Sequence, residues 1–388
     1  MTGEERIDTV LRGGIPDRVP VVPLVYYFAA EVAGVPNEVF LKDVRVFQNA
    51  LDICFEQAGP WDAIYTLPFT FDAPRYDMTW GAGLGMKPGI ALGGDAFSKV
   101  LEATESEYLM NEDDYQKILS YRFYTPLHPL LRFMVELISR YKNKPQGARV
   151  WVNDFMRGGV RLGIRWIREL KRWDKRGVGF FSSFSLEAPF DTFSMARGLV
   201  GFSIDLRRRP DEIAEASLRL GKSLARIALL ACRATGTNRF LLLLHRSSND
   251  FISPDQFERY AYSSIRYIAD YLTKKGIYFG MHNDGNWDRS LEILSDLPEN
   301  CFFQFDGRTD IFRARRILGD RFTIMGDVPA TMLAFGESHE VRRYCTRLIE
   351  EVGANARFIL SSGCEVPQNA RLENVQAMVK TALKHRYN

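Results

Sequence analysis

The sequence predicts an α/β protein, a (β/α)8 TIM barrel with a long helical insertion between strands 2 and 3. Three observations carry this expectation. Short β-branched or aromatic runs recur at residues 19–26, 63–69, 179–185, 240–245, 277–282, 301–305, 322–325 and 357–361. Amphipathic stretches alternate with them at 210–233, 254–275, 287–297, 311–318, 339–352 and 373–385, most opening on a helix-starting Ser, Asp, Asn or Pro. The first run leads into Tyr26-Tyr27-Phe28-Ala29, whereas an open doubly wound sheet usually follows its first strand with a Gly-rich phosphate turn. Parallel strands need crossover connections, and eight successive β–α units close a barrel with its helices outside.

One interval breaks the rhythm. Between the second and third runs lie Gly81-Ala82-Gly83-Leu84-Gly85, a turn-rich stretch at 88–94 and helical patterns at 112–118 and 129–142. No separate core pattern accompanies them, so residues 1–388 read as one domain, with 86–176 as a lid-like insertion over the active face. The most apolar run, 240–244, is strand-sized and far short of the ~20 residues that span a bilayer.

Composition narrows the function classes. Apolar residues at 46% and charged residues at 26% suit a folded globular chain rather than a disordered one. The 51 Lys and Arg against 48 Asp and Glu leave +3, too little to point to nucleic acid as a partner. The basic run 165–176 spaces Trp166, Ile167, Leu170 and Trp173 as the buried face of a solvated amphipathic helix. Five scattered cysteines and an N-terminus without an export signal predict a cytoplasmic protein held reduced.

Barrels gather functional side chains just beyond the C-terminal strand ends. The polar residues there are Tyr26, Tyr27, Glu187, Asp191, His245, Arg246, Asp250, His282, Asp284, Asp306, Asp310, Asp327, Cys364 and Glu365. Each also has a plain structural reading. A histidine ending a strand is commonly a hydrogen-bonded framework residue, and a lone cysteine a small buried hydrophobe. Asp250 fits a helix cap ahead of Ser253-Pro254, and the tyrosines fit the core equally well. The barrel itself is what can bring His282-Asn283-Asp284-Gly285 and Ser361-Ser362-Gly363-Cys364-Glu365 to one rim.

Several segments carry a family resemblance: Glu4-Glu5-Arg6-Ile7-Asp8, Pro16-Asp17-Arg18-Val19-Pro20, Ala188-Pro189-Phe190-Asp191 with Arg197-Gly198, Asp250-Phe251-Ile252-Ser253-Pro254, Gly326-Asp327-Val328-Pro329 and Ser362-Gly363-Cys364-Glu365-Val366-Pro367. Together they resemble the uroporphyrinogen decarboxylase superfamily, in the branch of corrinoid-linked methyltransferases. That resemblance implies a zinc site of the form His-x-Cys with a second Cys near the last strand. His282 and Cys364 match its ends, while Asp284 stands at the middle position and can ligate through oxygen. It further implies a separate corrinoid-binding partner, since the chain has no Asp-x-His-x-x-Gly motif.

On this basis the expected activity is zinc-assisted methyl transfer from a small methylated substrate, such as an aromatic methyl ether (O-demethylation), to the partner's corrinoid. Asp250, Glu187 and Asp306 are the candidate acids. Tyr26, Tyr27, His245, Arg246 and Asp327 are the candidate substrate contacts, with Phe28, Phe69, Phe71 and Trp80 as further pocket aromatics. Two alternatives stay open: a decarboxylase and a non-catalytic small-molecule-binding barrel. The decarboxylase pattern expects an Arg-rich segment after the first strand to clamp carboxylates, where this chain has Val25-Tyr26-Tyr27-Phe28-Ala29-Ala30.

Overall fold

The computed structural model describes residues 1–66, 109–122, 128–140, 163–182, 184–355 and 357–387. Its strands are β1 (Ala63–Ile64), β2 (Gly179–Phe180), β3 (Ser185–Glu187), β4 (Arg239–Leu244), β5 (Tyr278–Asn283), β6 (Cys301–Phe305), β7 (Thr323–Val328) and β8 (Phe358–Ser362). β3 to β8 form a six-stranded sheet in chain order, and β1 pairs with β2. Every one of these ladders is parallel.

The two sheets are links of one sequence of pairings. β2 and β3 belong to a single run, its first part beside β1 and its second beside β4. Residues 20–25 join the other end: Val21 and Leu24 bridge in parallel to Leu360 and Glu365, and Leu24 also bridges to Tyr65. The pairing thus passes along the chain and returns to its start, an order consistent with a (β/α)8 barrel. The expected first strand is reduced to bridges because Pro20 and Pro23 have no N–H to donate to a ladder.

Side chains facing the interior form a cluster of their own, including Val22, Leu24, Tyr65, Phe181, Leu241, Phe302, Met325 and Ile359, closed by Ile7, Val10 and Leu11 of the helix Gly3–Leu11. Arg6 fastens that helix, with Nη1 2.5 Å from Asp62 and Nε 2.6 Å from Asp17. Gly280 makes room for the aromatic layer, since a Cβ there would lie 2.0 Å from Cζ of Phe302. Gly280→Ala is therefore expected to cost about 1–3 kcal/mol through overpacking, read as a lower urea midpoint at unchanged slope.

The described parts of 86–176 are largely helical. Asp114–Ser120 and His128–Ser139 pack on the helix Pro210–Thr235 in the outer layer. Residues 163–174 form the amphipathic helix expected of the basic run, burying Trp166, Leu170 and Trp173 while Arg172 pairs with Asp52 and Glu169. Among the described residues, no helix is long and apolar enough to cross a membrane.

Candidate metal centre

His282 is the penultimate residue of β5, on an inward-facing position, and is 4% exposed. Its environment fixes which ring nitrogen is available. Gln304 of β6 points its Nε2 at the carbonyl oxygens of Ser362 and Gly363, 3.4 and 3.3 Å away, so the amide oxygen faces the other way. That Oε1 lies 2.8 Å from both the Tyr65 hydroxyl and His282 Nδ1. An amide oxygen only accepts, so Nδ1 carries a hydrogen and Nε2 is the nitrogen turned to the rim.

Two further donors converge on that Nε2. Asp284 Oδ1 is 3.1 Å from it and Cys364 Sγ 3.5 Å. The three donor atoms lie within 4.8 Å of one another, across eighty-two positions of sequence between His282 and Cys364. A thiolate relay would set the carboxylate on the ring nitrogen opposite the thiol; here both share one nitrogen. An imidazole held by a neighbouring oxygen, with carboxylate and sulfur beside its free nitrogen, is a donor set that can hold a metal ion.

Electrostatics supports the same grouping. Burial opposes a charge on His282, but Asp284, Tyr65 and Cys364 outweigh it and hold its pKa well above the ordinary value. Burial likewise opposes ionisation of Asp284, yet His282 and His245 bring its pKa down to about 2. With no metal bound, a proton on Nε2 satisfies the carboxylate; a cation competes for that place.

The rest of the predicted site divides between rim and framework. His245 and Glu187 join the cluster, with His245 Nε2 3.2 Å from Asp284 Oδ2 and Nδ1 2.9 Å from Glu187 Oε2. Burial would lower the pKa of His245, but Glu187 and Asp284 raise it to about 10. The backbone of Arg246 is held by Asp191, and its Nη1 donates to the Ser194 carbonyl at 2.9 Å. Tyr27 is half-buried, its N–H donating to Glu365 at 3.0 Å, whereas Tyr26 is 4% exposed and packs edge-on against Phe40 and Phe47. Phe28 is buried in the core, and Phe69, Phe71 and Trp80 lie outside the described residues.

Asp250, Asp306 and Asp327 are not brought onto the donor atoms. Asp306 accepts from the N–H groups of Gly285 and Arg308, and Asp250 from that of Asn286, so both brace the turn after β5. The helix cap expected of Asp250 is supplied by Ser253 instead. Gly285 of that turn has φ +84, and a Cβ would meet Ser248 Oγ at 2.5 Å. Asp327 is 1% exposed and accepts from the Tyr344 hydroxyl at 2.7 Å, on the helix Ser338–Arg347. Sequence reasoning missed Gln304 and Tyr65; the signal for Gln304 was a single polar residue inside Cys-Phe-Phe-Gln-Phe.

A parallel α/β protein with a candidate metal centre at the ends of β5 and β8 is the class these features define. The family described as uroporphyrinogen decarboxylase (URO-D) matches residues 183–385, just over half of the chain, and the match includes the donor set. The chain belongs to that family. Among solved structures, a methyltransferase from Methanosarcina mazei is similar over 99% of both chains, with a TM-score of 0.67 and 16% sequence identity, which shows a shared fold. No curated protein matches the chain.

Proposed function

We propose that the protein is a methyltransferase that moves a methyl group from a small methylated substrate to a corrinoid on a partner protein, with zinc held by His282, Asp284 and Cys364. The observation that carries this reading is the convergence of Nε2, Oδ1 and Sγ on one point at the strand ends. Likeness in fold to a methyltransferase supports it. A porphyrinogen decarboxylase is disfavoured because residues 25–30 offer aromatic rings and no arginine for carboxylates.

Zinc bound there would supply Lewis acidity toward the heteroatom that loses the methyl group. His282 offers Nε2 because Gln304 occupies Nδ1, and three protein ligands leave a position for substrate. The oxygen of Asp284 makes the donor set harder than one with two thiolates, which suits an ether or amine as well as a thioether. His245, 3.2 Å from Asp284 Oδ2, is assigned to the edge of the substrate pocket together with Tyr27 and Arg246. Asp250 and Asp306 are assigned to shaping the turn after β5, and Tyr26 and Asp327 to framework.

The test is transfer of an isotopically labelled methyl group from a panel of methoxylated aromatic compounds and methylamines to added cob(I)alamin, with metal content measured alongside. Near-stoichiometric zinc and transfer from at least one donor class are expected. A well-folded, metal-free protein inert to the panel, or one that releases carbon dioxide from a porphyrinogen, sinks the proposal.

A further inference from the structure

Asp284 is engaged on both carboxylate oxygens, and only one of them faces the donor cluster. Oδ1 lies beside His282 Nε2 at 3.1 Å, while Oδ2 lies 3.2 Å from His245 Nε2. His245 is itself held at two further points. Its Nδ1 is 2.9 Å from Glu187 Oε2, its own N–H donates to Asp191 Oδ1 at 2.8 Å, and that same oxygen takes the N–H groups of Arg246 and Ser247 at 2.6 and 3.1 Å. Asp191 is fully buried and also receives the Ser247 hydroxyl, so the turn after β4 is built around it. The main chain of Asp284 is tied to the same place, its N–H donating to the Leu244 carbonyl at 3.0 Å.

We propose that His245, oriented by Glu187 and Asp191, is a positioning residue that pins Oδ2 of Asp284 and presents Oδ1 alone to the metal. The inference rests on the metal-site reading above and explains how an aspartate works at that position. A free aspartate rotates about its last side-chain torsion and readily takes a metal through both oxygens. Bidentate binding fills the position that substrate needs. A donor fixed on the far oxygen removes that option and keeps the near oxygen oriented, the part outer partners commonly play for metal ligands. An imidazole set between two carboxylates directs one nitrogen to each. Neither Glu187 nor His245 then needs to touch the substrate's reacting atoms.

Apo wild-type protein and the variants His245→Ala, His245→Gln, Glu187→Gln and Asp284→Ala are titrated with Co(II) and, against a chelator, with zinc. His245→Ala is expected to weaken zinc binding about 10–100-fold and to reduce the Co(II) visible absorption, as coordination rises above four. His245→Gln, whose amide N–H reaches toward the same oxygen, recovers part of both, and Glu187→Gln moves both less far in the direction of His245→Ala. In an Asp284→Ala background, His245→Ala adds nothing, because its effect passes through the carboxylate. Wild-type affinity and spectrum in both His245→Ala and Glu187→Gln, or a further loss in the double variant equal to that in the single, overturns the inference while leaving the metal site standing. A wild-type chain that takes up neither ion, or an Asp284→Ala chain that keeps full affinity, overturns both.

Discussion

Cys364→Ala is expected to lose bound zinc and, with it, methyl transfer by on the order of 10³-fold or more, without loss of fold. Sulfur supplies the third corner of the donor set, and its removal leaves His282 and Asp284, which without a metal satisfy each other through a proton. Lewis acidity at a departing heteroatom contributes several kcal/mol to a transition state, and each ~1.4 kcal/mol is a factor of ten. The fold should hold because Cys364 is half-buried beyond the end of β8 and its side chain fills no core position. Metal analysis, the labelled-methyl assay and a thermal melt check the three parts separately. Stoichiometric zinc in the variant would remove sulfur from the ligand set. Zinc lost with transfer intact would remove the metal from the chemistry.

What was legible in the sequence follows from what each inference needed. The alternation of apolar runs with amphipathic stretches gave β4 to β8 and their helices because burial on both faces of a parallel strand leaves a dense apolar mark. The run at 19–26 has the same mark, yet its two prolines leave only bridges, and the run at 179–185 divides because its two parts pair with different neighbours. His282, Asp284 and Cys364 were readable because strand ends of a barrel converge wherever they fall in the chain. Asp250, Asp306 and Asp327 sit at equivalent ends, but what each carboxylate binds depends on backbone N–H groups and a tyrosine far along the chain, and no spacing reports that. Gln304 is hidden for the opposite reason: it lies within a strand whose mark in the sequence is its apolarity. The pairing of His245 with Asp284 depends on two adjacent turns meeting, which only the register of β4 against β5 determines.

Asp327 yields the other large effect, through stability rather than catalysis. Its carboxyl is buried beside Tyr344, and burial, with Asp306 and Asp310 adding to it, pushes its pKa up to about 7 against the bond from Tyr344. The unfolded chain titrates near 3.9. Between roughly pH 4 and pH 7 the folded state holds a proton that the unfolded state has released, so this group's contribution to stability falls as pH rises through that window and is level above it. Roughly three pKa units correspond to about 4 kcal/mol withdrawn at alkaline pH. The substitution Asp327→Asn escapes that loss and keeps an acceptor for Tyr344, but the new amide brings an N–H pair that costs about 1–3 kcal/mol if left without a partner. The balance makes the variant more stable than wild type by about 1–3 kcal/mol at about pH 8, and less stable below about pH 4.5, so the two stability curves cross. Urea unfolding at several pH values, together with KM for the methyl donor, decides it. Parallel curves would mean that Asp327 is ionised at no cost, and a raised KM with crossing absent would return this residue to the substrate pocket.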